Sequence, residues 1–293
     1  MKFKHALCMT VLSVLLPLSI QSHAAGMNDS NTLRWAGCGI TKKAFMAELA
    51  KAYEKKTGVK VVLEGGGATR GLRDTATLKI DMGGSCRMSL PDSNRVELYA
   101  QLNPVAWDAL VIIVHKDNPI NNLTTQQVKA LYTGKITNWK QLGGKDAPIK
   151  LYARQGTISG VGYAIRQYIF KDGGKEFKTN YLVRSSGPLE KAVEKDPDAI
   201  GITGVSSARK RNVKITKFDG KTPSFENLKM GKYQLYRPLY LVTSPGPSPQ
   251  VKDFVHFAMS AEGRKIIREN NVVPYRDAPQ LMSKMLVYGF GVR

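Results

Sequence analysis

The chain is poor in the residues that most enzyme centres need. Of its 293 residues only four are histidine and three cysteine. Two of those histidines and one of the cysteines fall in the first 24 residues, a stretch of leader character. His115 and His256 then stand alone in unrelated segments, so neither a histidine-rich metal centre nor a Ser-His-Asp arrangement has its parts, and no nucleophile-elbow sequence accompanies them. Acidic residues are also scarce, 23 against 44 lysines and arginines, which leaves a net charge of +21. Clustered carboxylates for acid–base or two-metal chemistry are therefore missing. Long apolar runs are missing too: Ala6 to Ile20 is shorter than the roughly 20 residues of a membrane-spanning helix, and no later stretch is both long and uncharged enough.

The opening MKFKHALCMTVLSVLLPLSIQSHAAG carries two lysines, an apolar core and Ser22-His23-Ala24. It reads as a secretory signal cleaved near Ala24, and it predicts a protein exported to the periplasm. Cys8 lies within it and lacks the small-residue context of a lipid-modified cysteine. About 270 residues remain, more than one core usually holds, so two lobes are expected. Composition is that of a globular protein, at 42% hydrophobic and 23% charged. The positive charge speaks for solubility, an anionic ligand, an acidic partner or an anionic membrane surface. Nucleic acid is not expected, because the basic residues are scattered and residues 208–212 (ARKRN) are the only tight cluster. Cys38 and Cys86 survive processing, and an even number in an oxidising compartment suggests a disulfide.

Along the chain, strand, glycine turn and helix recur. LRWAG is a strand, GCGIT a turn, and the following helix places Phe45, Leu49, Ala52 and Tyr53 on one face before Gly58 ends it. VKVVLE, GGGAT and RGLRDTATLKI repeat the scheme, and IDMGGS leads to a third turn with Cys86 and Arg87. WDALVIIVH is a buried strand, IKLYARQGTISGVGYAIRQYIF is strand, turn and helix again, and residues 251–270 form one closing helix. Alternating strands and helices predict a mainly parallel α/β sheet, with the turns gathered at the carboxyl ends of the strands. Three of them, Gly37 to Lys42, Gly65 to Arg70 and Arg154 to Gly160, open helices whose first N–H groups lack partners and favour an anion. Thr41, Thr69, Ser85 and Ser159 can add hydroxyl donors, and Arg154 a planar fork. Any one such turn is ordinary α/β punctuation; the set of them is not.

The order of these turns, with WDALVIIVHKDNPINNLTTQQVKALYTGKITNWKQLGG and DPDAIGITGVS, resembles the periplasmic phosphate-binding proteins of ABC transporters, the PstS-like family, over about residues 32 to 275. The resemblance implies a type II periplasmic-binding fold with a hinge of crossing strands near Trp107 and Arg237-Pro238. Lobe 1 would be 25–107 with 238–293 and lobe 2 would be 108–237. It further implies a non-enzymatic monomer without cofactor that closes on a small inorganic anion and is read by an ABC permease or a membrane sensor. The family loops fall here on Gly39-Ile40-Thr41-Lys42, on Ala68-Thr69, on Gly84-Ser85-Cys86 and on Arg154 to Val161. The expected ligand set is thus Ile40, Thr41, Lys42, Ala68, Thr69, Ser85, Cys86, Arg87, Arg154, Ser159, Gly160 and Val161.

Two positions depart from the family pattern. The third loop usually reads G-A-S-D, and its aspartate accepts the proton of hydrogen phosphate; here Cys86 and then Arg87 follow Ser85. Without that acceptor the basis for preferring phosphate over sulfate is removed. The fourth loop is one residue longer between Arg154 and Ser159-Gly160, and Val161 replaces the family's final threonine. Strands one and three are neighbours in this fold, so Cys38 and Cys86 are expected to be close enough for a disulfide. A reduced pair gripping arsenite or a soft metal ion stays open as an alternative. So do a phosphatase reusing the cradle and an interaction protein with a decayed site. Arg184-Ser185-Ser186-Gly187 matches a second-lobe loop near the crevice.

Overall fold

A computed structural model describes residues 31–288. The leader and the cleavage site read from the sequence lie outside these residues. Strands β1 (Thr32–Gly37), β2 (Lys60–Glu64), β3 (Met82–Ser85) and β4 (Gln101–His115) come first. They are followed by β5 (Asn122–Leu123), β6 (Lys150–Arg154), β7 (Tyr181–Val183) and β8 (Ala199–Gly204). β9 (Val213–Ile215), β10 (Lys217–Phe218), β11 (Tyr236–Thr243) and β12 (Val273–Pro274) complete the set. The main sheet runs in the order β2-β1-β3-β11-β4-β8-β6-β7, with β9 and β12 also on β4.

The parallel part is as the alternation of elements predicts: β1 pairs in parallel with β2 and β3, and β6 with β7 and β8. The two long central strands correct that picture. β11 is antiparallel to both β3 and β4, and β4 is antiparallel to β8 and β9. β4 is 15 residues long and starts six residues ahead of the buried run read from Trp107 onward. Its first half pairs with β11 and its second with β8, so one strand belongs to both halves of a mixed, curled sheet, with Trp107 opposite Pro238 at the changeover. Trp107 also stacks on Tyr275, ring centroids 4.9 Å apart, and its indole N–H donates to the Tyr275 carbonyl at 3.1 Å.

Trp35, Trp107 and Trp139 are fully buried. At the usual area yield each removes enough apolar surface to stabilise the fold by about 4 to 6 kcal/mol as an upper bound. The chain is helical from Gly39 to Thr57, and Gly58, left-handed at φ 75°, stops it as expected. The second helix, Gly67–Ala76, begins three residues before Arg70. The single closing helix is instead two, Pro249–Met259 and Ala261–Glu269: Ser260 is extended, and its hydroxyl accepts from the Gly263 N–H, starting a new helix.

Candidate functional site

The glycine turns after β1, β2, β3 and β6 open on one cleft of about 400 Å³. Cys38 and Gly39 line it from the first turn, Gly65 to Thr69 from the second and Cys86 from the third. Arg154, Gln155 and Ile158 to Gly160 come from the fourth, and Arg184 to Gly187, Lys43, Ser207 and Arg211 complete the lining. Close backbone approach explains the glycines: a Cβ at Gly37 would lie 2.3 Å from the Gly84 carbonyl, so β1 and β3 could not draw together at their ends. There the Cys38 N–H donates to the Gly84 carbonyl at 2.9 Å.

Arg154 ends β6 with its side chain almost wholly buried. Its Nε donates to the Val183 carbonyl at 3.3 Å, one Nη to the Ser186 hydroxyl at 3.1 Å and the other to the Arg184 carbonyl at 2.5 Å. Three of its five donors are spent on neutral oxygens, two remain, and no carboxylate pairs with it. Burial accordingly pulls its pKa down from the usual arginine value. Behind the lining, buried Glu190 accepts from the Thr203 and Ser207 hydroxyls at 2.7 and 2.5 Å, from Lys43 Nζ at 3.0 Å and from Arg211 Nε at 3.4 Å. Among the described residues no Asp or Glu lines the cleft. The wall offers hydrogen-bond donors and positive charge, which is the chemistry of an anion site.

The expected ligand set divides. Ala68, Thr69, Cys86, Arg154, Ser159 and Gly160 line the cleft. Ile40, Thr41, Ser85 and Val161 are buried beneath it; the Thr41 hydroxyl donates to the Ser85 carbonyl at 3.3 Å, and the Ser85 hydroxyl to the Arg87 carbonyl at 2.7 Å. Lys42 turns away to the Leu63 carbonyl. Arg87 does not line the cleft either: it forms a buried pair with Glu97, at 2.7 and 3.0 Å, and also donates to the Thr69 hydroxyl and the Ile158 carbonyl. The sequence reads Lys43 as part of a solvated helix start and Arg211 as part of the basic cluster 208–212, and does not single out Ser207, yet all three line the cleft. Glu190 gathers them, and a glutamate in the helix Ser186–Lys195 gives no sign of that in the sequence.

The structure does not show the bridge expected between Cys38 and Cys86. Their sulfurs lie 2.8 Å apart, beyond the 2.03–2.05 Å of a disulfide, and both are free, buried thiols. They sit where expected, at the ends of neighbouring strands. Hydrogen bonding from Cys86 pushes the Cys38 pKa down to about 6 against the opposing effect of burial, helped by the charge of Arg237 and the N–H groups of Thr41 and Ile40. The same hydrogen bond, with burial, pushes Cys86 well up. Among the described residues no group of three or more His, Cys, Asp or Glu side chains could hold a metal ion.

This is the architecture of a binding protein that receives a solute between sheet-borne loops, and comparison with known proteins agrees. Residues 30–262 match the model of the PBP superfamily domain, and the chain belongs to that superfamily. It is PstS-like within it. It is 24% identical over 250 residues to the phosphate-binding protein PstS of Bacillus subtilis, covering 85% of this chain and 82% of that one. To PstS of Borreliella burgdorferi it is 26% identical, covering 82% and 89%. A Clostridium perfringens chain, described as a phosphate ABC transporter substrate-binding protein and solved with bound phosphate, superposes with a TM-score of 0.76 at 28% identity, covering 83% and 99%. An ABC-type phosphate transport receptor from Vibrio cholerae gives 0.63 at 26%, covering 82% and 99%.

Proposed function

We propose that the protein is an exported, periplasmic receptor that captures a small tetrahedral oxyanion, phosphate or a phosphate-like anion, and presents it to an ABC permease or a membrane sensor. The observation that carries this reading is Arg154, a buried arginine with no carboxylate partner and two uncommitted donors, in a cleft lined by donors and without a carboxylate. A buried cation without a counter-charge is costly, and a bound anion removes that cost. The names of the relatives point to the same ligand class and to binding rather than catalysis.

Lobe 1 is taken as residues up to 107 together with 238–293, and lobe 2 as 108–237. The pairing of Trp107 with Pro238 supports hinge crossings at these points. Arg87 to the Ile158 carbonyl and Lys43 to Glu190 then reach from one lobe to the other and hold the closed form. The monomeric state belongs to the same reading, as each lobe supplies half of the cleft. Calorimetry with phosphate, arsenate, sulfate and molybdate tests it: one anion is expected to bind one-to-one. Binding of none of them, or turnover of a chromogenic phosphate ester, overturns it.

A further inference from the structure

The cleft has more room than a single tetrahedral oxyanion needs. Such an anion takes up about the space of two or three waters, on the order of 60 to 90 Å³ at about 30 Å³ per water. The cleft holds about 400 Å³, within the range of about 300 to 1,000 Å³ that accepts small organic molecules. This is not the room of walls standing apart. Arg87 Nε donates to the Ile158 carbonyl at 2.8 Å, and Lys43 Nζ to the Ser207 hydroxyl at 2.8 Å. Gly160 packs so closely that a Cβ on it would come within 2.3 Å of the Cys86 sulfur and 3.3 Å of the Ala68 Cβ. The fourth turn already touches the second and third, and the space remains beside that contact.

The charges on the wall say what fills it. Lys43 and Arg211 are matched by Glu190 and Glu194. Two arginines are not matched. Arg154 is buried among neutral oxygens with two donors uncommitted. Arg184 is exposed on the cleft wall, and among the described residues no carboxylate pairs with it. The two are adjacent, since one Nη of Arg154 donates to the Arg184 carbonyl at 2.5 Å. The same stretch opens the ten-residue helix Ser186–Lys195, whose N-cap Ser185 provides no side-chain cap, and Ser185, Ser186 and Gly187 all line the cleft. Resting on the receptor reading above, we propose that the cleft takes an anion with two linked phosphoryl groups, a diphosphate, one group on Arg154 and the second on Arg184 and the start of this helix. A single phosphate neutralises Arg154 and leaves Arg184 and most of the room to water. A second phosphoryl group brings charge to the second arginine and to N–H groups at a positive helix end. The glycines Gly65, Gly66 and Gly67, which also line the cleft, put no side chain into that room.

The test is calorimetry with orthophosphate and inorganic diphosphate at one ionic strength, on the full mature protein and on Arg184→Ala and Arg184→Lys. Diphosphate is expected to bind one-to-one and about tenfold or more tighter than orthophosphate. Arg184→Ala should cost diphosphate about 10- to 100-fold more than it costs orthophosphate, the range for a hydrogen bond to a charged group, and Arg184→Lys should keep part of the margin. Melting curves show that each variant is folded. A margin that survives Arg184→Ala unchanged is a response to net charge and overturns the proposal, as does orthophosphate binding as tightly as diphosphate. If neither anion binds the wild type, the receptor reading itself fails.

Discussion

Replacing Arg154 by alanine should weaken anion binding severely while leaving the ligand-free protein as stable as before, or more so. The two effects separate because the guanidinium is buried against neutral oxygens only. In the ligand-free cleft it is a desolvated cation without a carboxylate, so its removal relieves a cost instead of breaking an ion pair. In the complex its two remaining donors supply a charge-assisted contact, and truncating such a partner costs on the order of 2 to 5 kcal/mol, or about 30- to 4000-fold in Kd. Part of any loss could come through the loop 184–187, which Arg154 braces. Ser186→Ala measures that part: it deletes one neutral acceptor and should cost about 0.5 to 1.5 kcal/mol, near threefold to tenfold. Arg154→Lys keeps a charge but loses the fork, and falls between them. Calorimetry gives the affinities, and melting curves with and without ligand give the stability. An Arg154→Ala protein that melts well below wild type yet binds the anion with unchanged affinity would refute the reasoning, showing a structural strut and no ligand contact.

Gly160→Ala should lower affinity at least tenfold, since the new Cβ would come within 2.3 Å of the Cys86 sulfur and force the fourth turn away from the third; calorimetry would show it. Glu190→Gln removes the buried negative charge that Lys43 and Arg211 share, leaving Arg211 with Glu194 alone, so binding should tighten at low salt while unfolding in urea becomes easier by about 3 to 5 kcal/mol, the cost of breaking a buried pair. The Glu97 carboxyl is raised by burial, but hydrogen bonds from Arg87 and the Leu90 N–H overcome this and hold it below the ordinary value. A carboxylate depressed in the folded state contributes stability that is complete above the unfolded value, about 4.3, and is lost as pH falls through the lower folded one. Urea unfolding of Glu97→Gln should therefore show a shallower loss of stability than wild type below about pH 4.

Much of the fold was legible because it rests on local chemistry. Short runs with apolar residues ahead of turns marked β1, β2, β6 and β8, and Gly58 ended the first helix through its freedom at positive φ. Arg154 and the cysteine pair were marked in the sequence as donors and neighbours at turns, before any partner was known. The antiparallel crossing of β4 and β11 was not legible: the pairing direction of a buried apolar strand depends on which distant strand lies beside it, and the strand's own pattern does not encode that. Distance also decided the fates of Arg87 and Lys43. Each is a lysine or arginine near a turn, equivalent in sequence, but Glu97 draws the first away from the cleft and Glu190 holds the second beside it. The sequence by itself determined the cradle of turns and the absence of a carboxylate at Cys86. Only the tertiary structure decided which charges face the cleft and which are neutralised behind it, because a charge finds its partner through space.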